Sequence, residues 1–143
     1  MQAWELAARE RIRDTLARYN WSGDAGRLDD MAGSFREDGE LQLRGEEPLR
    51  GRAAIAEFLS GITTSESGVA RIVRHNLTNI HFLEVTPERA RVASYFTVLT
   101  EIGLDHYGRY RDSFVPVGND WLIRHRFVST DWVAPNSTMA SRP

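Results

Sequence analysis

Apolar residues recur at helical spacing over the first sixty positions and at strand spacing after about position 70. Over residues 3–20, Trp4, Ala8, Ile12, Leu16 and Tyr19 fall four and three apart, with arginines and acids between them. That spacing predicts a one-sided amphipathic helix. Ser22-Gly23-Asp24 reads as the break that stops it. Leu28, Met31, Ala32 and Phe35 repeat the helical spacing and predict a second helix near 25–36. Asp38-Gly39 is a turn signal, and Leu41 and Leu43 alternate with polar neighbours in a short strand. Ile55, Phe58, Leu59 and Ile62 predict a third helix near 51–61, followed by a polar loop over 63–68.

The second half changes character. Segments 70–85, 89–102, 106–117 and 120–130 are rich in Val, Ile, Thr, Tyr and Phe. Short breaks at 86–88, 103–105 and 118–120 separate them, which predicts an antiparallel meander. A sheet of such long strands curls, and the three helices fill its concave face. The expected architecture is α+β: a cone-like curved antiparallel sheet wrapped around three N-terminal helices. One domain covers residues 1–132, and 133–143 form an irregular tail.

The chain has 143 residues, 41% hydrophobic and 27% charged, in keeping with one ordinary globular domain. Its net charge of −2 is too low for an electrostatic nucleic-acid binder. No run reaches the roughly 18 apolar residues of a membrane span. The start, Met1-Gln2-Ala3-Trp4-Glu5-Leu6, lacks the basic-then-apolar order of a secretory signal, so a cytoplasmic location is expected. Cysteine is absent, which excludes disulfides and thiolate chemistry. All 18 basic residues are arginine, which excludes a Schiff-base lysine.

No phosphate-loop, dinucleotide, zinc-protease or serine-hydrolase motif is present. His75 and His81 sit an even number of residues apart on one predicted strand, sharing a face about 20 Å apart. They cannot hold one metal, and no metal site is expected. His75, between Val73 and Leu77, is the natural proton-transfer candidate. Asp24 suits an N-cap of the second helix and equally a carboxylate at a cavity wall. Tyr19 lies five residues before it. In Gly108-Arg109-Tyr110-Arg111-Asp112, Tyr110 and Asp112 share one face and the two arginines the other.

Several of these stretches, taken in order, resemble the SnoaL-like group of the nuclear-transport-factor-2-like superfamily. Tyr19-Asn20-Trp21-Ser22-Gly23-Asp24 resembles its first helix junction. Phe35-Arg36-Glu37-Asp38-Gly39 resembles the step into its short strand, and Gly51-Arg52-Ala53-Ala54-Ile55 the approach to its third helix. Arg74-His75-Asn76-Leu77-Thr78-Asn79 resembles its first long strand. Gly108-Arg109-Tyr110-Arg111-Asp112 and Trp121-Leu122-Ile123-Arg124-His125-Arg126 resemble its closing strands. The likeness spans roughly residues 5–130. Within the group the chain is most similar to scytalone dehydratase, hexachlorocyclohexane dehydrochlorinase and bile-acid 7α-dehydratase.

The resemblance implies a cofactor-free enzyme, a dehydratase, isomerase or cyclase, acting on a small hydrophobic, polyketide- or steroid-like molecule. It implies that Asp24 and His75 form a catalytic dyad in an apolar cone, with Tyr19 as hydrogen-bond donor. Trp21, Phe58, Tyr95, Tyr110, Arg111 and Asp112 are the expected substrate-binding residues. Arg109 or Arg111 would supply an arginine that these enzymes use late in the chain. The second active-site histidine of scytalone dehydratase finds no match in the linear sequence. A homodimer or homotrimer is expected, without nucleic acid or membrane. Two other readings stay open: a non-catalytic binding or assembly module of the same fold, and an epoxide hydrolase of the limonene type. The hydrolase needs an Asp–Arg–Asp set around one water.

Overall fold

A computed structural model describes residues 1–63 and 72–140 of the chain. In chain order the elements are α1 (Ala3–Asp24), α2 (Leu28–Ala32), β1 (Phe35–Leu43), β2 (Leu49–Arg50), α3 (Arg52–Thr63), β3 (Arg74–Val85), β4 (Ala90–Thr100), β5 (Gly103–Val117) and β6 (Asp120–Val133). The strands form one curved, unclosed sheet in the order β2-β1-β6-β5-β4-β3. β3 to β6 are the expected antiparallel meander. The pairing of β1 with β6 is parallel, because the intervening α3 and the meander bring the chain back to β1's flank in the same direction.

α1 lies on the inner face. Its buried stripe is Ala8, Ile12, Leu16 and Tyr19, while Trp4, in the first turn, stays 39% exposed. Ile12 and Leu16 are fully buried, which stabilises the packing by about 1.5–3 kcal/mol each. The Thr15 hydroxyl donates to the Trp121 carbonyl at 2.6 Å and pins the helix to β6. Ile55 and Leu59 of α3 join Val92, Phe96, Val98, Phe114 and Ile123 of the sheet in the same core.

Several sequence expectations need correction. α1 does not end at Ser22-Gly23; it runs through Asp24. Gly23 serves close packing there, since a Cβ would stand 2.8 Å from the Met31 sulfur. Asp24 is therefore the last residue of α1, not an N-cap; Arg27 occupies the N-cap of α2. α2 itself is only five residues long, and Phe35 begins a strand. The polar loop expected over 63–68 lies outside the described residues beyond Thr63, the last residue of α3.

His75 and His81 do not share a face. Between Thr78 and His81 the register of β3 against β4 slips by one residue. Asn79 occupies the slip at φ 53°, a left-handed conformation that Asn tolerates better than most residues. His75, Leu77, Ile80 and Phe82 consequently turn inward and His81 turns out. No helix among the described residues is long and apolar enough to cross a membrane.

Candidate active site

The concave face of the sheet and the helices enclose a cavity of about 220 Å³. Its lining is mostly apolar, including Met31, Leu41, Phe58, Leu59, Val73 and Phe96. Few polar side chains reach it: Tyr19, Asn20, His75, His106, Tyr110 and Thr130. An apolar hollow with few convergent polar groups is the usual form of a small-molecule site.

Asp24 and His75 meet at its wall. One carboxylate oxygen, Oδ1, lies 2.7 Å from His75 Nδ1. The other, Oδ2, accepts the His75 backbone N–H at 2.9 Å. The carboxylate therefore grips both the ring and the main chain of one residue, which fixes the position and the rotamer of the imidazole. An ionised carboxylate only accepts, so Nδ1 carries the hydrogen and Nε2 is left as the free acceptor. Both side chains are largely shielded from water. Asn20 and His75 also border a second, outer groove between α1 and β3, where Asp24 itself is found.

A second histidine faces the same cavity. His106 is buried, and its Nδ1 lies 2.7 Å from Oδ1 of Asp105, which is wholly buried. Burial holds the His106 imidazole below its usual range, and Asp105 only partly offsets this. Burial works against the charge of Asp105 too. Hydrogen bonds from Ser137, His106, Thr138 and Thr100 outweigh it and hold the carboxyl at about 2. The linear sequence hides this pair, because neighbours on a regular strand point to opposite faces. A bulge between β4 and β5 opposite Val98 and Leu99 adds one residue, and both Asp105 and His106 turn inward. The one available signal is the adjacency of Asp and His after a glycine break.

Tyr19 and Tyr110 form the inner end of the cavity, with ring centroids 6.2 Å apart, edge to face. The Arg126 guanidinium lies 4.3 Å from the Tyr19 ring and 3.8 Å from the Tyr110 ring. Arg126 is fully buried and makes a bidentate pair with Asp112, Nε to Oδ1 at 2.8 Å and Nη2 to Oδ2 at 2.9 Å. Burial raises the phenols of both tyrosines, and the Arg126 charge opposes the rise.

The other expected binding residues divide. Phe58 and Tyr110 line the cavity. Trp21 does not: two residues after Tyr19 is about 200° around the helix, and its side chain is 74% exposed on the outer groove. Tyr95 alternates with Ser94 and Phe96, so Phe96 takes the cavity and Tyr95 the outer face of the sheet. Arg111 is also on that outer face, and Arg109 is tied there to Asp131. Asp112 faces inward but is covered and bound to Arg126. The late arginine nearest the cavity is thus Arg126. An Asp–Arg–Asp set around one water is not assembled by Asp24, Arg111 and Asp112. Among the described residues no group of three His, Cys, Asp or Glu side chains is arranged to hold a metal.

Comparisons with known proteins agree with this architecture. A candidate scytalone dehydratase from Novosphingobium aromaticivorans superposes with a TM-score of 0.79 at 24% identity, covering 96% of this chain and 93% of that one. ActVI-ORFA from Streptomyces coelicolor gives 0.75 at 19% identity, over 86% and 96%. A cystatin-like protein of unknown function from Nostoc punctiforme gives 0.76 at 20% identity, over 96% of both chains. At these identities the likeness is one of fold. No curated protein matches the chain. The sequence model of the SnoaL-like domain matches residues 4–127. With that match over nearly its whole length, the chain belongs to the SnoaL-like family.

Proposed function

We propose that the protein is a cofactor-independent acid–base enzyme of the dehydratase, isomerase or cyclase type. The observation that carries this reading is the 2.7 Å contact between Asp24 and the imidazole of His75 at the wall of an apolar cavity. Asp24 holds the His75 tautomer and stabilises the imidazolium once it forms, as the acid of an Asp–His pair does in a catalytic triad. Nε2 of His75 takes a proton from a carbon next to a carbonyl or a leaving group. General-base help of this kind contributes about 10²–10⁴-fold.

In an elimination, the C–H electrons form the new double bond and the C–O bond breaks. The departing hydroxyl takes the Tyr19 proton and leaves as water. The Arg126 charge beneath the ring offsets the phenolate until the proton returns from His75. In an isomerisation or ring closure, Tyr19 donates a hydrogen bond to the developing oxyanion instead. His106, neutral and lacking a proton on Nε2, accepts a hydrogen bond from a substrate hydroxyl. The substrate is a small hydrophobic molecule, since a hollow of about 220 Å³ lies below the roughly 300–1,000 Å³ usual for ligand pockets.

The test uses a panel of β-hydroxy ketones and hydroxylated polyketide-like rings, with turnover followed by the absorbance of the new conjugated double bond. Asp24→Asn and His75→Ala are expected to lower turnover by about 10²–10⁴-fold with an unchanged far-UV spectrum. Turnover retained in both variants rejects the dyad.

A further inference from the structure

The wholly buried carboxylate of Asp105 collects hydrogen bonds from two sides. From the sheet come His106 Nδ1 at 2.7 Å and the Thr100 hydroxyl at 3.0 Å. From the C-terminal segment come the Ser137 hydroxyl at 2.6 Å, the Thr138 backbone N–H at 3.0 Å and the Thr138 hydroxyl at 3.3 Å. The Asp105 main-chain carbonyl accepts the Ala134 N–H at 2.8 Å, so both ends of the residue hold the same segment. Ser137 Oγ in turn accepts the N–H groups of Met139 and Ala140, which sets the course of the chain beyond it. That course brings the Met139 side chain against the core and into the cavity wall.

We propose that Asp105 is a positioning residue that couples the C-terminal segment 134–140 to His106: the docked segment orients the carboxylate, the carboxylate fixes the ring proton on Nδ1, and the cavity receives a bare Nε2 beneath Met139. The inference rests on the proposed function only in giving that nitrogen work to do. Oxygens saturated by five donors have one orientation, and a carboxylate so held accepts from Nδ1 rather than from water. Without Ser137 and Thr138, water enters at Asp105, the ring gains a hydrated neighbour, and both tautomers become accessible. The groups facing His106 are Asp105 and Tyr110 on β5, the Phe96 ring at 6.0 Å, and the His75 imidazole of β3 with Asp24 behind it. The docked segment contributes hydroxyls, a backbone amide and a thioether there, so what it changes is hydration and orientation rather than charge.

The experiment is NMR of the uniformly ¹⁵N-labelled protein, read at the histidine rings and at the backbone amides, and it needs no substrate. In the unaltered protein His106 is expected as a neutral ring with the proton on Nδ1 at pH 7. In a Ser137→Ala, Thr138→Val double variant, amide exchange at residues 138–140 is expected to speed by about tenfold for a lost buried hydrogen bond. The His106 titration midpoint is expected to rise and its tautomers to mix. A second variant, Asp105→Asn, offers an amide that donates to Nδ1 and is expected to move the proton to Nε2. Faster exchange with an unmoved His106 titration and tautomer would mean that the segment is a cover alone, and overturns the proposal. A proton found on Nε2 in the unaltered protein overturns it as well. Neither result depends on turnover, so an inactive dyad and a failed coupling are told apart.

Discussion

The C-terminal end of α1 carries the negative end of the helix dipole, and Asp24, its last residue, adds a full negative charge to it. A carboxylate at that end of a helix is disfavoured, and the two hydrogen bonds from His75 are what compensate it. Asp105 is the stronger case. Its carboxyl is held at about 2, against about 3.9 in an unfolded chain. The stabilisation is complete above about pH 5 and is lost as the pH falls through 2, a change of about 2–3 kcal/mol. Urea unfolding at stepped pH is expected to show this loss between about pH 5 and 2, and its absence in Asp105→Asn. His106 acts in the same direction, in a higher pH window and through its uncharged form. Its depressed pKa means that the fold favours the neutral ring, so stability falls as the pH drops below about 6.5. The buried pair of Arg126 and Asp112 gives a further prediction. Asp112→Ala leaves a guanidinium uncompensated and is expected to cost about 3–5 kcal/mol by denaturant titration. The double variant with Arg126→Met is expected to recover part of that loss.

At the scale of elements, three features shape the sheet and its inner face, and none is written in the hydrophobic period. The long strands and the inward face of His75 were legible, because alternation holds along residues 73–77. The slip at Asn79 was not, since one residue in a left-handed conformation leaves the composition of the strand unchanged. The same holds for the bulge that turns Asp105 and His106 inward together. The parallel pairing of β1 with β6 joins segments some eighty residues apart, beyond the reach of any local pattern. The meeting of Asp24 with His75 was expected from family resemblance; their spacing of 51 residues carries no such information. Gly108 marks another such point. A Cβ there would collide with the Ser129 carbonyl and stand 2.8 Å from the Phe96 ring that walls the cavity. Gly108→Val is expected to lower the melting temperature by several degrees, as a few kcal/mol of overpacking does in a domain this size. Calorimetry checks it.

For the whole molecule, the sheet has two unlike faces. The inner face carries the core and the cavity. The outer face exposes Tyr95, Leu99, Tyr107 and Trp132, with Tyr107 and Trp132 stacked at 5.5 Å. We propose that a second copy of the chain covers this face in a homodimer, with the Arg109–Asp131 ion pairs at its rim. Light scattering at micromolar concentration is expected to give twice the chain mass, and Tyr95→Glu with Trp132→Glu to halve it. A monomer before substitution removes the proposal.

The dyad is also a partition. His75 borders the inner cavity, Asp24 borders the groove outside, and the two are joined side by side. In the proposed reaction, a hydrogen ion taken up at Nε2 lies one imidazole's width from the groove outside. On that reading the imidazole can trade hydrogen with solvent from behind while a molecule fills the chamber.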